Sequence, residues 1–415
     1  MNQSSVANIL KRSVSSSLVP IAEARDLVLQ AVVPLAPETA AIDDALGRVL
    51  AEAVRATGDV PPFACSAMDG YAVIDGPAGR DLRIVGESRA GTPSDHVLTG
   101  GEAIRISTGA AIPSGATAVI PQEEVSLDGA GAIRTEAAAS PGQHFRGPGE
   151  DIRGGTTVLS AGIALGPIEL GAAVAAGVGS VSVAGRPRAS VLCTGDELRA
   201  PGEPLGPGEI HNSNAPMLTG LATRGGATVS PAERLADDAA ATRSGIGRAL
   251  DTSDVVIITG GVSVGPHDHV KPALSALGVQ EVFWSVALQP GKPTWFGTLP
   301  DGTLVFGLPG NPVSAVVTFS LFVAPALARL QGASSPRPPR PEARLGSDVR
   351  RNPRREQAVR VRLEDSGSGV LAFPNGPQGS HILTSLLGAD ALAMIPPGEG
   401  SVTAGTMVAL EALAT

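Results

Sequence analysis

The stretch from 188 to 331 most limits what this chain can fold into. Short apolar runs alternate there with segments of helical length: ASVLCTG, a helix near 215–223, ATVSPAER, a helix near 237–250, DVVIITGG, a helix near 270–277, VQEVFWSVAL, TLVFGLPG, and a helix near 313–330. Such alternation builds a doubly wound α/β sheet. Four loops in it stand out: LCTGDEL (192–198), VIITGGVSVGPHDHV (256–270), LQPGKP (288–293) and VFGLPGNPVSA (305–315). Three open with an apolar run, and each then turns into Gly, Pro, Asp, Ser or Lys. Strands that end this way face the crevice where α/β proteins bind ligands. Glycines let the backbone come close to a ligand, and bare N–H groups suit an anion. Four such loops in sequence predict one composite site.

The remaining chain reads as several further pieces, and its 415 residues allow two to four domains. Residues 1–19 form a flexible lead-in without the apolar core of a signal peptide. A helix is expected over 20–32. A second amphipathic stretch follows over 42–53, where Ile42, Leu46, Val49, Leu50 and Ala53 share one helical face. Residues 57–146 carry short alternating strands such as LRIVG and AIRIST between Gly-rich turns, the texture of a β-rich inserted domain. Residues 20–56 and 147–187 then form one discontinuous domain around that insertion. A Pro-rich linker over 334–343 leads to a small β domain over 344–415. The fold class is therefore multidomain α/β.

Charge and cysteine content narrow the function. A net charge of −9 argues against a broad nucleic-acid surface, so an anionic ligand needs a local basic pocket. Nearly all basic residues are arginine. The three lysines are Lys11, Lys271 and Lys292; Lys292 falls inside one of the loops above and Lys271 directly follows another. Two cysteines, Cys65 and Cys193, do not make a disulfide framework, which suggests a reduced, cytoplasmic protein. No apolar run is read as long enough to span a bilayer.

Each loop offers its own chemistry. In TGDE, Gly195, Asp196 and Glu197 follow a strand; paired acids there hold Mg²⁺ or bond a hydroxyl-rich or heterocyclic ligand. The plainer alternative is Asp196 capping a helix. In ITGGVSVGPHD, Gly260, Gly261, Ser263 and Gly265 stack N–H donors for a phosphate, and Asp268 follows as a metal-binding acid. This is not a P-loop, since no G-K-[ST] follows, and the adjacent His267 and His269 lack partners at zinc spacing. Lys292 in PGKP suits a small oxyanion, or is a solvated turn. Pro309, Gly310, Asn311, Pro312 and Ser314 open a helix, which is an anion site by geometry or an ordinary capped start. Outside this region, Asp69 with Gly70 and Thr108 stand in turns, while Arg360 and QGSH (378–381) add a fixed charge and a hydroxyl; alone, each also has a structural reading.

Taken together, SAMDGYAV, STGAAIP, GEDIR, CTGDEL, GGVSVGPHD, PGKP, GLPGNPVSA and QGSH occur in one order across nearly the whole chain. This resembles the molybdopterin molybdenumtransferase family, the bacterial MoeA proteins and the E domain of gephyrin. The resemblance implies a molybdopterin-binding type of central domain, a C-terminal barrel-like domain, and a cytoplasmic homodimer of elongated subunits that pair through the discontinuous domain. It implies Mg²⁺-dependent insertion of molybdate into adenylylated molybdopterin with loss of AMP. The family's functional acids fall on Asp69, Glu197, Asp237 and Asp268, and its threonine on Thr108. Asp69 and Thr108 would reach the partner subunit's site, and Glu197 and Asp268 would hold the metal. Lys292, Ser314, Arg360 and Ser380 match positions lining the molybdate pocket, while Pro309 and Pro312 shape its loop. Expected partners are the small-molecule substrates, a molybdopterin adenylyltransferase and molybdoenzymes, with no nucleic acid and no membrane. Gln289 and Ser285 stand where many relatives carry lysine, which makes the pocket less positive. Ala64-Cys65 replaces the usual Asp-Asn, and Gly147-Pro148 interrupts a basic run. The same resemblance leaves room for a molybdopterin-binding paralogue without turnover, or a scaffold using this fold.

Overall fold

The computed structural model describes residues 18–261, 268–336, 340–367 and 369–414. The central sheet carries its strands in the order Thr228–Val229, Arg188–Thr194, Val255–Thr259, Leu304–Leu308, Trp295–Thr298 and Gln280–Trp284, with Glu233–Leu235 also paired to Arg188–Thr194. The pairings around Arg188–Thr194, Val255–Thr259 and Leu304–Leu308 are parallel. The last two strands run antiparallel, so the sheet is mixed at one edge.

Side-chain alternation shows why the sheet is covered on both faces. Val255 and Ile257 join a cluster with Leu218 and Leu221 of the helix Asn214–Arg224, Val313 and Val316 of the long helix Pro312–Leu330, and Ile21, Ala24 and Val28 of the helix Ile21–Ala31. Val256 and Ile258 point the other way, onto Ile246 and Ala249 of Ala239–Thr252 and Val270 and Leu274 of Val270–Ala276. Successive strand residues feed opposite faces, so a strand buried on both sides reads as an unbroken apolar run.

The long helix contains a π-turn over Phe319–Val323. Pro325 has no N–H to give the carbonyl of Leu321 four residues back, and its ring crowds that carbonyl. The freed oxygen accepts instead from Arg25 Nε at 3.1 Å. Arg25 is buried and also pairs with Glu411 at 2.6 Å, tying the first helix to the C-terminal domain. This helix corrects one expectation. Its 19 residues have a mean hydropathy of 1.8, long and apolar enough to cross a membrane, but 78% of its most apolar window is buried inside the protein. Core burial accounts for that composition.

The segments flanking the insertion pair with each other, Pro37–Ala41 with Ser180–Ala184 and Val54–Arg55 with Thr157–Leu159. The helix expected over 42–53 does not form. A single 3₁₀ turn covers Ile42–Asp44. Beyond it, Gly47 N donates to Leu165 O at 2.8 Å, Leu50 N to Ile163 O at 3.0 Å, and Val49 and Leu50 bridge to Ala164 and Val183. Pairing with a distant segment takes the backbone groups a helix needs, and Leu46 is left exposed. The inserted domain holds a six-stranded sheet in the order Ala118–Pro121, Gly70–Val73, Glu102–Ile106, Asp81–Ser88, Ala132–Thr135 and Val125–Leu127. In the C-terminal domain Glu356–Asp365, Val370–Pro374, Glu342–Leu345, Met407–Ala412 and Ala391–Ile395 pair in turn, and the last returns to the first. That closes a five-stranded barrel around Val359, Val361, Leu345 and Ile395.

Candidate functional site

Three parallel strands end on one side of the central sheet, and the loops that leave them line a cavity of about 700 Å³. Gly195 and Glu197 come from the first strand end, Gly260, Gly261 and Asp268 from the second, Gly310, Asn311 and Pro312 from the third. Asp237 joins from the end of Glu233–Leu235, and His381 from the C-terminal domain. By strand order, Asp237 and Glu197 flank one side of the crevice, and 310–312 with His381 flank the other. Ser263 and Gly265 lie outside the described residues.

Side chains stitch these loops together. Asn214 Nδ2 donates to Thr259 Oγ1 at 2.9 Å and to Gly310 O at 2.7 Å, and Thr259 Oγ1 donates to Pro309 O at 3.0 Å. Asp196 and Asp237 clasp each other: Asp196 N donates to Asp237 Oδ2 at 3.2 Å and Asp237 N to Asp196 Oδ1 at 3.3 Å. No helix follows Asp196, so it caps none. The neighbouring Asp238 caps Ala239–Thr252, accepting from Ala240 N at 3.0 Å and Ala241 N at 2.8 Å. Gly260 is required by close approach. Its φ is +87°, and a Cβ there would lie 2.7 Å from Thr194 O.

The fourth loop goes elsewhere. Leu288–Gln289 pairs with Glu356–Gln357 of the barrel, and Lys292 is exposed and does not line the cavity. Gln289 Oε1 accepts from Asn352 Nδ2 at 2.5 Å, and Ser285 is buried. Ser314 is buried under the loop and outside the cavity lining. Ser380 sits one bond behind the wall, where its Oγ accepts from Asn311 Nδ2 at 3.1 Å and its carbonyl accepts from Val313 N at 3.2 Å.

Arg360 is 1% exposed. Its Nε donates to Ser385 Oγ at 3.1 Å, and its Nη2 donates to the carbonyls of Pro377 and Gly379, both at 3.2 Å. Burial lowers its pKa from the ordinary arginine value to about 10, with no carboxylate contributing. Asp69 and Thr108 stand apart on the inserted domain. Thr108 N donates to Asp69 Oδ1 at 2.7 Å and its Oγ1 does so at 3.1 Å, and neither residue lines this chain's cavity. Among the described residues, no three His, Cys, Asp or Glu converge as a ready-made metal cage.

Sequence reasoning missed Asn214, Asn212 and His211 in the cavity wall, and gave His381 no role of its own. Asn214 had no local signal, because its partners lie 45 and 96 residues away.

Three family models match the chain: MoeA N-terminal region (domain I and II) over 19–177, a probable molybdopterin binding domain over 190–329, and MoeA C-terminal region (domain IV) over 342–413. The chain is 36% identical over 386 residues to molybdopterin molybdenumtransferase 2 of Mycobacterium tuberculosis, covering 90% of this chain and 94% of that protein. It is 35% identical over 399 residues to molybdopterin molybdenumtransferase of Haemophilus influenzae, covering 95% and 98%. The molybdopterin biosynthesis moeA protein of Pyrococcus horikoshii superposes with a TM-score of 0.80 at 31% identity, over 95% of this chain and 100% of that one. With the mixed sheet, the closed barrel and the three-loop crevice all in place along that match, the chain belongs to the molybdopterin molybdenumtransferase family, enzymes that act as transferases in molybdenum cofactor biosynthesis.

Proposed function

We propose that this chain inserts molybdate into adenylylated molybdopterin in a Mg²⁺-dependent reaction that releases AMP. The observation that carries the reading is the division of the crevice. Glu197, Asp237 and Asp268 supply carboxylates, while the Gly261 backbone and the Asn311 side chain supply hydrogen-bond donors on one continuous wall. A polyanionic nucleotide ligand needs both kinds of surface.

The donor set fits Mg²⁺. That ion is commonly held by one or two carboxylates plus substrate phosphates rather than by a closed protein cage, and here the acids share a cavity without clustering. Glu197 and Asp268 would hold it. Bound there, it would neutralise charge on the phosphate oxygens. The protein's own part is positioning. Thr259 and Asn214 fix the 259–261 and 309–312 loops against each other, so the phosphates and the oxyanion meet at a set distance. The clasp of Asp196 with Asp237 fixes the acidic side. Arg360 and Ser380 shape the loop beside the oxyanion, and Lys292 adds positive potential from outside the cavity.

In this reading the enzyme is a cytoplasmic homodimer, and Asp69 and Thr108 serve the partner subunit's cavity. Their place outside the lining of their own cavity and their mutual hydrogen bonds support that arrangement. The substrate would arrive from a molybdopterin adenylyltransferase, and the product would pass to molybdoenzymes. Incubation with adenylylated molybdopterin, molybdate and Mg²⁺ tests the reaction. AMP release above a protein-free control is expected, and release equal to that control refutes it.

A further inference from the structure

We propose that His381, carried by the C-terminal barrel domain, contacts the anionic ligand directly at the oxyanion end of the crevice. The inference rests on the reading above that the crevice takes an oxyanion. Three observations support it. His381 is the cavity-lining residue that the barrel domain contributes among the described residues. Its ring makes no hydrogen bond among the described residues, so its donor is available. The other cavity histidine, His211, already has Nε2 at 2.9 Å from Glu203 O.

The surroundings of His381 are built to hold it in place. Arg360, buried and fixed by three hydrogen bonds, lies under the 377–379 backbone. Gln378 clamps the same strand from both sides: Arg360 N donates to Gln378 Oε1 at 3.0 Å, and Gln378 Nε2 donates to Arg360 O at 3.2 Å. Ser380 then docks twice on the start of the long helix, through Asn311 Nδ2 and Val313 N. His381 is exposed at the rim of the cavity, and the bonds of its neighbour Ser380 to Asn311 and Val313 bring it to the side of the crevice formed by 310–312. An imidazole N–H there donates to an oxygen of a dianion, where the acids across the crevice would repel it. The barrel domain therefore supplies a ligand contact as well as a covering wall.

The test uses the full chain with molybdate as the probe. His381→Leu removes the donor and keeps the bulk, and His381→Gln retains a side-chain N–H near the Nε2 position. Isothermal titration should show molybdate binding weakened about tenfold in His381→Leu, the scale of one hydrogen bond to a charged group. His381→Gln should stay close to the unsubstituted protein, and both variants should keep its melting temperature. Equal affinity in His381→Leu and the unsubstituted chain overturns the contact. A matching loss of melting temperature and of binding in both variants overturns it too, by showing a structural role. Molybdate binding without AMP release in the unsubstituted chain would refute the proposed reaction while leaving the His381 comparison decisive. No molybdate binding at millimolar concentration would overturn the His381 assignment itself.

Discussion

Arg360→Met should loosen the 375–382 loop without unfolding the barrel, and the size of the effect follows from the contacts. The guanidinium gives three hydrogen bonds, to Ser385 Oγ, Pro377 O and Gly379 O. Bonds from a charged donor contribute roughly 1.5–3 kcal/mol each, about 4.5–9 kcal/mol in all. Against this stands the cost of burying the charge. The fall in pKa from the ordinary arginine value to about 10 corresponds to about 3 kcal/mol. Methionine also fills much of the same volume, so the cavity contribution is small. The net loss is then about 1.5–6 kcal/mol, felt locally, because the bonds end on one loop. Hydrogen exchange reads it at Asn375 N, bonded to Arg360 O at 2.8 Å, and at Val313 N, bonded to Ser380 O. At about 1.4 kcal/mol per decade these amides should exchange at least tenfold faster, while Val359 and Val361 in the barrel core keep their protection. Molybdate affinity should fall in the same variant. Unchanged exchange at both amides would refute the claim that Arg360 holds this loop.

Mixing tests the proposal that the chain is a homodimer in which Asp69 and Asp268 of one site come from different subunits. An Asp69→Asn chain and an Asp268→Asn chain should each be inactive alone, and their co-expressed mixture should recover about a quarter of normal AMP release, since half the dimers would be mixed and each would hold one intact site; no recovery would place both residues in one subunit's site. Gly70→Ala puts a Cβ 2.0 Å from Ile120 O, a backbone atom that cannot step aside, and should destabilise the inserted domain by about 3 kcal/mol, seen as a lowered melting temperature. Asp254 sets part of the acid limb of stability. Burial raises its pKa, but the side-chain and backbone hydrogen bonds and charge of Arg188 more than offset that and leave it below 3.8. A depressed carboxylate contributes stability above its unfolded pKa and loses it as pH falls through the folded one, so Asp254→Asn should flatten the stability profile below about pH 4; an unchanged profile would exclude the Arg188 pair as the cause.

The parts legible in the sequence are those whose signal is local. An apolar run breaking into Gly-Asp or Gly-Gly marks a strand end wherever it occurs, so the 195–197, 260–261 and 309–312 loops could be placed on one rim. Residues 42–53 failed because spacings of three and four suit both a helix and a winding segment whose apolar residues meet two walls. What decides there is whether Leu50 finds Ile163 and Val183, more than a hundred residues on. The direction of the antiparallel edge is not legible either, since VQEVFW reads as a strand in either direction. PGKP shares its Gly-Pro chemistry with the true rim loops, yet pairing of Leu288–Gln289 with the barrel takes it out of the cavity wall. The divide is physical. Local chemistry states which groups a ligand could meet, and distant contacts state which of them stand on one cavity wall. Asn214, whose two bonds join the second and third loops, and Arg360, which sets where His381 stands, therefore determine the geometry of the site as fully as the acids determine its charge.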